Sequence, residues 1–339
     1  MSYNKYLEEL PHRSKKRVLV KTPKNTKTNL ISARVTAIIS KSIYVKTEDN
    51  QEYEAILRGV INSTNRESSL IAVGDYVKIL PSKNQNKQSN LPLCTIEQIE
   101  KRTTSLSRKS SGYEPFEQII ASNITDVMIL VATANPDYNL KLIDRIVISA
   151  ELNNLNPIIC VNKIDLIDLE EIRDDFKIYQ NHGIDVHFIS VYNKINLQAL
   201  LDALNGKEIA LIGQSGVGKS TLVNWLFATE LQKTNEISSF NFKGKHTTSF
   251  VKMFDYNFDN KIEFKIVDSP GIKEFGIWGL EKSDLPFYFK EFEEYSINCK
   301  FQPCTHTHEP GCAVIQAVED EKILPIRYQS YLNILDSLE

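Results

Sequence analysis

The sequence predicts a multidomain chain: an N-terminal all-β barrel, a central α/β domain with a mostly parallel sheet, and a C-terminal, mostly helical part gathered around a cysteine cluster. Three observations carry this. Short β-branched runs recur between turn signals from Ala33 to Ile99. From about Phe116 apolar strands alternate with amphipathic helical patterns. Beyond Trp278 the chain turns aromatic and collects three of its 5 cysteines with a histidine among them. A length of 339 residues suits two or three domains. The boundaries expected are a basic flexible arm over 1–28, a barrel over 29–112, an α/β domain over 113–276 and a helical domain over 277–339.

The arm clusters Arg13, Lys15, Lys16 and Arg17 with little apolar periodicity. Net charge is only -3, but residues 1–110 hold 20 Lys+Arg against 10 Asp+Glu and the remainder is acidic. A basic front end is the footprint of a polyanion binder, and also of an ordinary solvated face. Barrel strands are expected at 34–39, 43–47, 54–59, 74–80 and 95–100, with a long polar loop over 81–90. In the α/β part, strands are expected at 126–131, 157–161, 186–190, 208–212 and 262–267. Leu140, Ile143, Val147 and Ala150 mark one helical face, and Leu197, Leu200, Leu201 and Leu204 another. A last helix is expected near 328–338. Cys94 and Cys160, inside apolar runs, read as core. The longest apolar stretch, 127–134, is far shorter than the ~18 residues of a membrane span, and no apolar signal core opens the chain, so it reads as cytoplasmic.

The strongest local signal is Gly213-Gln214-Ser215-Gly216-Val217-Gly218-Lys219-Ser220, followed by Thr221, between an expected strand and an apolar helical run. This is a P-loop in its confirming context: glycines turn backbone N–H groups toward phosphate, and the helix start adds its positive dipole end. Lys219 reaches the β and γ phosphates, and Ser220 offers a hydroxyl to Mg²⁺. Asn162-Lys163-Ile164-Asp165 follows the strand 157–161, where Asp165 suits the paired N–H groups of guanine. Adenine lacks that donor pair, which opposes an ATP-dependent kinase or ATPase. Asp268-Ser269-Pro270-Gly271 supplies a carboxylate for Mg²⁺ and a Gly271 N–H for the γ-phosphate. Ser190 completes the base side. In ordinary GTPases the base loop comes last; here it comes first. All these elements sit at strand carboxyl ends, so the order reads as a circular permutation that leaves the site intact.

Cys299, Cys304, His306 and Cys312 form a Cys3His set suited to one structural Zn²⁺, although thiols also cluster in reducing compartments. His308 is an alternative ligand.

Taken together, these residues resemble the RsgA (YjeQ, YloQ) family of circularly permuted GTPases of small ribosomal subunit biogenesis. The resemblance spans nearly the whole chain and includes 118–123, Gly244-Lys245-His246-Thr247-Thr248 and 299–314. It implies a barrel of OB type, GTP hydrolysis stimulated by the small subunit, release of the factor after late maturation, and rRNA contacts from the arm and barrel. Ile272 stands where many GTPases carry the glutamine that orients water. In this family the histidine of the Gly-Lys-His-Thr-Thr loop is a candidate instead, here His246, which otherwise packs or touches rRNA. Thr247 or Thr248, by position Thr248, carries the Mg²⁺-sensing hydroxyl. The partners implied are GTP and GDP, the small subunit and its rRNA, with a monomeric chain and no membrane. The rival reading is an RNA-binding protein that holds guanine nucleotide as a passive structural ligand.

Overall fold

A computed structural model of the chain describes residues 30–58, 68–86, 90–110, 116–234, 250–258, 261–272 and 274–338. The expected arm and the 244–248 loop, with His246, Thr247 and Thr248, lie outside them. The chain divides into two units after Gly279.

In the first unit, β1 (Ile31–Ile39), β2 (Ser42–Thr47), β3 (Glu52–Leu57), β5 (Pro92–Ile99) and β4 (Tyr76–Gln85) follow one another in that order, and β4 returns to β1. That closure makes the barrel and removes free sheet edges. Strand alternation fills it: Val35, Val45, Val77, Ile79 and Ile96 are buried inside, while β2 alternates strictly between the two faces. The loop expected over 81–90 is shorter than that. β4 runs on to Gln85, paired opposite Pro92, with a register shift after Pro81, whose missing N–H interrupts the ladder. A strand with one solvated face needs no apolar run, so the polar sequence hid it.

After an antiparallel pair, β6 (Ser105–Lys109) and β7 (Glu117–Ser122), the α/β domain begins. It comprises β8 (Asp126–Ala132), α1 (Leu140–Leu152), β9 (Asn156–Asn162), α2 (Glu170–Asn181), β10 (Asp185–Phe188), α3 (Leu197–Leu204), β11 (Glu208–Gly213), α4 (Lys219–Thr234), β12 (Phe250–Phe258) and β13 (Ile262–Asp268). The sheet order is β10-β9-β8-β11-β13-β12, parallel except for β12. Every residue of β8 is buried, as a strand covered on both faces requires. Val127, Ile129 and Val131 face Ile143, Ile146 and Val147 of α1, whereas Met128 and Leu130 face Leu200 and Leu204 of α3 and Leu222 and Leu226 of α4. Both expected helical faces are therefore core. β10 stops at Phe188, so Ser190 lies in the turn beyond it, not in the strand as expected.

β12, β6, β7 and α2 were not expected. β12 joins the two halves of the unit: Phe250, Val251 and Lys252 pair with Ile39, Ile38 and Ala37 of β1. Beside this seam Arg34 donates to both carboxylate oxygens of Glu208, at 2.9 and 2.5 Å, and to the carbonyls of Gly74 and Asn123. Lys265 reaches the same carboxylate at 2.7 Å.

The second unit contains α5 (Glu293–Ser296), α6 (Ala313–Glu319) and α7 (Pro325–Ser337), with short 3-10 turns before α5. Its core is aromatic: Phe289, Phe292 and Tyr331 are fully buried with centroids 5.1 to 5.3 Å apart. Arg327, buried, pairs with Glu291 at 2.7 Å and lies 4.8 Å above Phe289. The expected last helix begins earlier than 328 because Pro325 suits a first helical turn. Among the described residues no helix is long and apolar enough to cross a membrane.

Candidate functional site

β8, β9, β11 and β13 run parallel, so their carboxyl ends meet at one edge of the sheet, and β11 lies on the opposite side of β8 from β9. At such a reversal the loops diverge and leave a crevice. The P-loop, Asn162 to Asp165 and Asp268 all sit there, one at the end of each of three strands. The motifs thus converge at one edge of the sheet despite their permuted order.

The glycines are fixed by close approach. Gly216 and Gly218 have φ of 86° and 98°, a region that favours glycine. A Cβ on Gly218 would lie 2.3 Å from the Asn162 amide nitrogen, and one on Gly213 2.6 Å from the Leu130 carbonyl. Val217 is buried, while Ser215, Gly216, Ser220 and Thr221 are exposed and Gln214 is half-buried.

Asn162 is buried and ties the site together. Its Nδ2 donates to the Val217 carbonyl at 2.9 Å, and its Oδ1 accepts from the Val191 N–H at 3.1 Å. One amide therefore clasps the P-loop to the turn after β10, where Ser190 Oγ accepts from Asn193 N–H at 3.0 Å. Lys163 is in the left-handed region, φ 64°, and its ammonium donates to the carbonyls of Ala134 and Asn135. Asp165, in the 3-10 turn that follows, is exposed and free to meet a ligand.

On the phosphate side Lys219 Nζ lies 3.2 Å from Asp268 Oδ1 and also donates to the Ser269 carbonyl. Burial pushes the Asp268 carboxyl above its ordinary range, and Lys219 offsets part of that. Gly271 packs close on Ser215, and Ile272 donates its N–H to the Gly213 carbonyl at 3.1 Å while its side chain is buried. An Ile272 turned into the core is in no position to orient water.

The description of the RsgA GTPase family matches residues 99–278. The chain belongs to the RsgA GTPase family. It is a GTP hydrolase. The protein named small ribosomal subunit biogenesis GTPase RsgA in Chlorobaculum tepidum is 35% identical over 312 residues, covering 91% of this chain and 98% of that protein. The protein of the same name in Phocaeicola vulgatus is 37% identical over 299 residues, covering 87% and 93%. YjeQ from Thermotoga maritima superposes with a TM-score of 0.64 at 25% identity over 91% of this chain and 98% of that one. YloQ, described as a circularly permuted GTPase, does so with a TM-score of 0.59 at 25% identity over 93% and 98%. The barrel, the permuted α/β domain and the helical Cys3His region expected from sequence are those of this family.

The second candidate site lies in the C-terminal unit. Ligand atoms of Cys299, Cys304, His306 and Cys312 all lie within 4.8 Å of one another. The thiols of Cys299 and Cys312 are 3.8 Å apart, and His306 Nδ1 is 3.6 Å from the first and 3.3 Å from the second. A tetrahedron with Zn–S of ~2.3 Å and Zn–N of ~2.0 Å has edges of about 3.8 and 3.6 Å, close to the separations among Cys299, Cys312 and His306, and with Cys304 Sγ within 4.8 Å of these the set suits a metal ion. His308, the alternative, points elsewhere: it is exposed and its Nδ1 meets Thr307 Oγ1 at 2.7 Å. Cys94 and Cys160 are core residues.

Sequence reasoning missed the second role of Asn162, the carbonyls behind Lys163, and the supports of the cysteine loop. Only the last left a local trace, a Thr-x-Thr-x-Glu pattern at 305–309.

Proposed function

We propose that this chain binds the small ribosomal subunit and acts late in its maturation, hydrolysing GTP with stimulation by the subunit and then dissociating. The observation that carries this is the convergence of guanine-type, phosphate and Mg²⁺-type residues on one sheet edge, in a chain whose 30%-plus relatives bear that name over nearly their whole length. Asp165 reads guanine, with Asn162, Lys163 and Ser190 shaping the base side. Gly213 to Thr221 cradle the phosphates, and Lys219 stabilises negative charge on them. Ser220, Asp268 and, from the 244–248 loop, Thr248 hold Mg²⁺, which neutralises charge between the phosphates. Gly271 senses the γ-phosphate. His246 is the residue proposed to act on the attacking water, supported by a buried Ile272 where many GTPases carry glutamine.

The Cys3His set holds one Zn²⁺, whose contribution is to fold a small domain. The basic arm over 1–28 and the barrel over 29–112 take rRNA phosphates, the α/β domain over 113–276 takes nucleotide, and 277–339 reads a second subunit site. The chain works as a monomer in the cytoplasm. Because the permuted order leads from Gly271 straight toward the C-terminal unit, nucleotide state and subunit docking are linked. Co-sedimentation with purified small subunits tests this: retention with a non-hydrolysable GTP analogue should exceed retention with GDP. Equal retention in the two states would remove the link.

A further inference from the structure

The loop that brings Cys304 and His306 to the metal set is held by groups that are not ligands. Glu309 turns its carboxylate back over it. One oxygen accepts the N–H and the hydroxyl of Thr305, each at 2.6 Å; the other accepts the N–H groups of Thr307 and His308 at 3.1 and 3.2 Å. The backbone donors on both sides of His306 thus converge on one side chain. The carbonyls are held from the other direction, with Tyr331 OH donating to Thr305 O at 2.6 Å and Tyr328 OH to His306 O at 2.7 Å. His306 needs such support: its φ is 55°, a conformation costly for a residue with a Cβ and kept only where surroundings over-determine it. Released from these contacts, the loop would relax and carry His306 Nδ1 and Cys304 Sγ away from Cys299 and Cys312.

We propose that Glu309 is a positioning residue of the metal site, setting its affinity for Zn²⁺ by fixing the backbone of the His306 loop without touching the ion. The inference rests on the zinc reading of the Cys3His set. Its charge matters beyond its shape. A carboxylate accepts at both oxygens, whereas the amide of Glu309→Gln would, in either orientation, present N–H groups to one of the two donor pairs, that of Thr305 or that of Thr307 and His308. Outer-shell partners of this kind are worth about 10- to 100-fold in metal affinity.

The test uses the full chain loaded with Zn²⁺ and titrated against a chromophoric chelator. Glu309→Gln should bind Zn²⁺ about 10- to 100-fold more weakly. With saturating Co²⁺ it should still show the visible bands of a tetrahedral site, because all four ligands remain. Glu319→Gln, a nearby exposed carboxylate with no bond to the loop, should bind as the parent does. Thr305→Val, which removes the exposed hydroxyl that donates to Glu309 and also bonds the Thr307 hydroxyl at 2.7 Å, should lose affinity several-fold, and it decides the matter if Glu309→Gln does not fold. Parent affinity in either Glu309→Gln or Thr305→Val would overturn the proposal, as would an equal loss in Glu319→Gln. A parent chain that retains no Zn²⁺ would instead sink the zinc reading itself.

Discussion

Asp165 and Lys219 carry the two most specific residue-level expectations. Asp165 is exposed beside the Asn162 turn; if it reads guanine as proposed, Asp165→Asn should exchange guanine for xanthine preference, read as the ratio of GTP to XTP binding. A retained GTP preference would remove Asp165 from base reading. Lys219 has two tasks. It is the residue proposed to meet triphosphate and, without ligand, it offsets the buried Asp268 carboxylate. Lys219→Ala should therefore abolish productive GTP binding and also leave Asp268 with its folded pKa further above the unfolded value. A carboxyl raised in this way favours folding below the unfolded pKa and loses that contribution as pH rises through the folded one. Relative to the parent, the nucleotide-free variant should be more destabilised at neutral than at mildly acidic pH, measured by thermal unfolding. The motifs behind these proposals, which the structure brings to one edge of the sheet, were legible because each is local. The clasp by Asn162 was not, since its partners lie 29 and 55 positions away.

Elements were legible where their periodicity was local. β8 reads as a doubly covered strand from its unbroken apolar run, and α1 and α3 from their helical spacing. β12 was overlooked although Met253, Phe254, Tyr256 and Phe258 are buried in it; its aromatic content marks a strand, but nothing in it announces pairing with β1 across more than 200 residues. The Arg34 and Glu208 pair at that seam is equally silent in sequence. Arg34→Ala would strip Glu208 of its main partner and leave the Gly74 and Asn123 carbonyls without this donor, a loss on the order of 3 kcal/mol for a largely buried pair. Burial raises the Glu208 carboxyl, but hydrogen bonds from Arg34 and Lys265 outweigh it and hold the pKa below the usual range. A depressed pKa contributes stability above the unfolded value and loses it as pH falls through the folded one. The parent should thus lose stability on acidification more steeply than Arg34→Ala, in denaturant titrations across the carboxylate range. Parallel acid limbs would show that the pair contributes nothing.

Across the whole molecule the permuted order is the feature with the largest consequence. It was legible because motif order is a property of sequence alone, while the convergence of those motifs needed the sheet. Charge asymmetry is the other whole-chain signal: the arm and barrel are basic and the rest is acidic. Deleting residues 1–28 should weaken subunit binding more at low salt than at high and flatten the dependence of log affinity on log salt, because fewer counterions are released. An unchanged slope would make the arm irrelevant to docking. The roles of these parts meet in a single number, the rate of phosphate release from GTP with and without purified small subunits. Turnover should be slow for the chain alone and rise at least tenfold with subunits, and His246→Ala should bind GTP and subunits yet lose most of that rise. A rate that subunits leave unchanged would contradict subunit-stimulated hydrolysis.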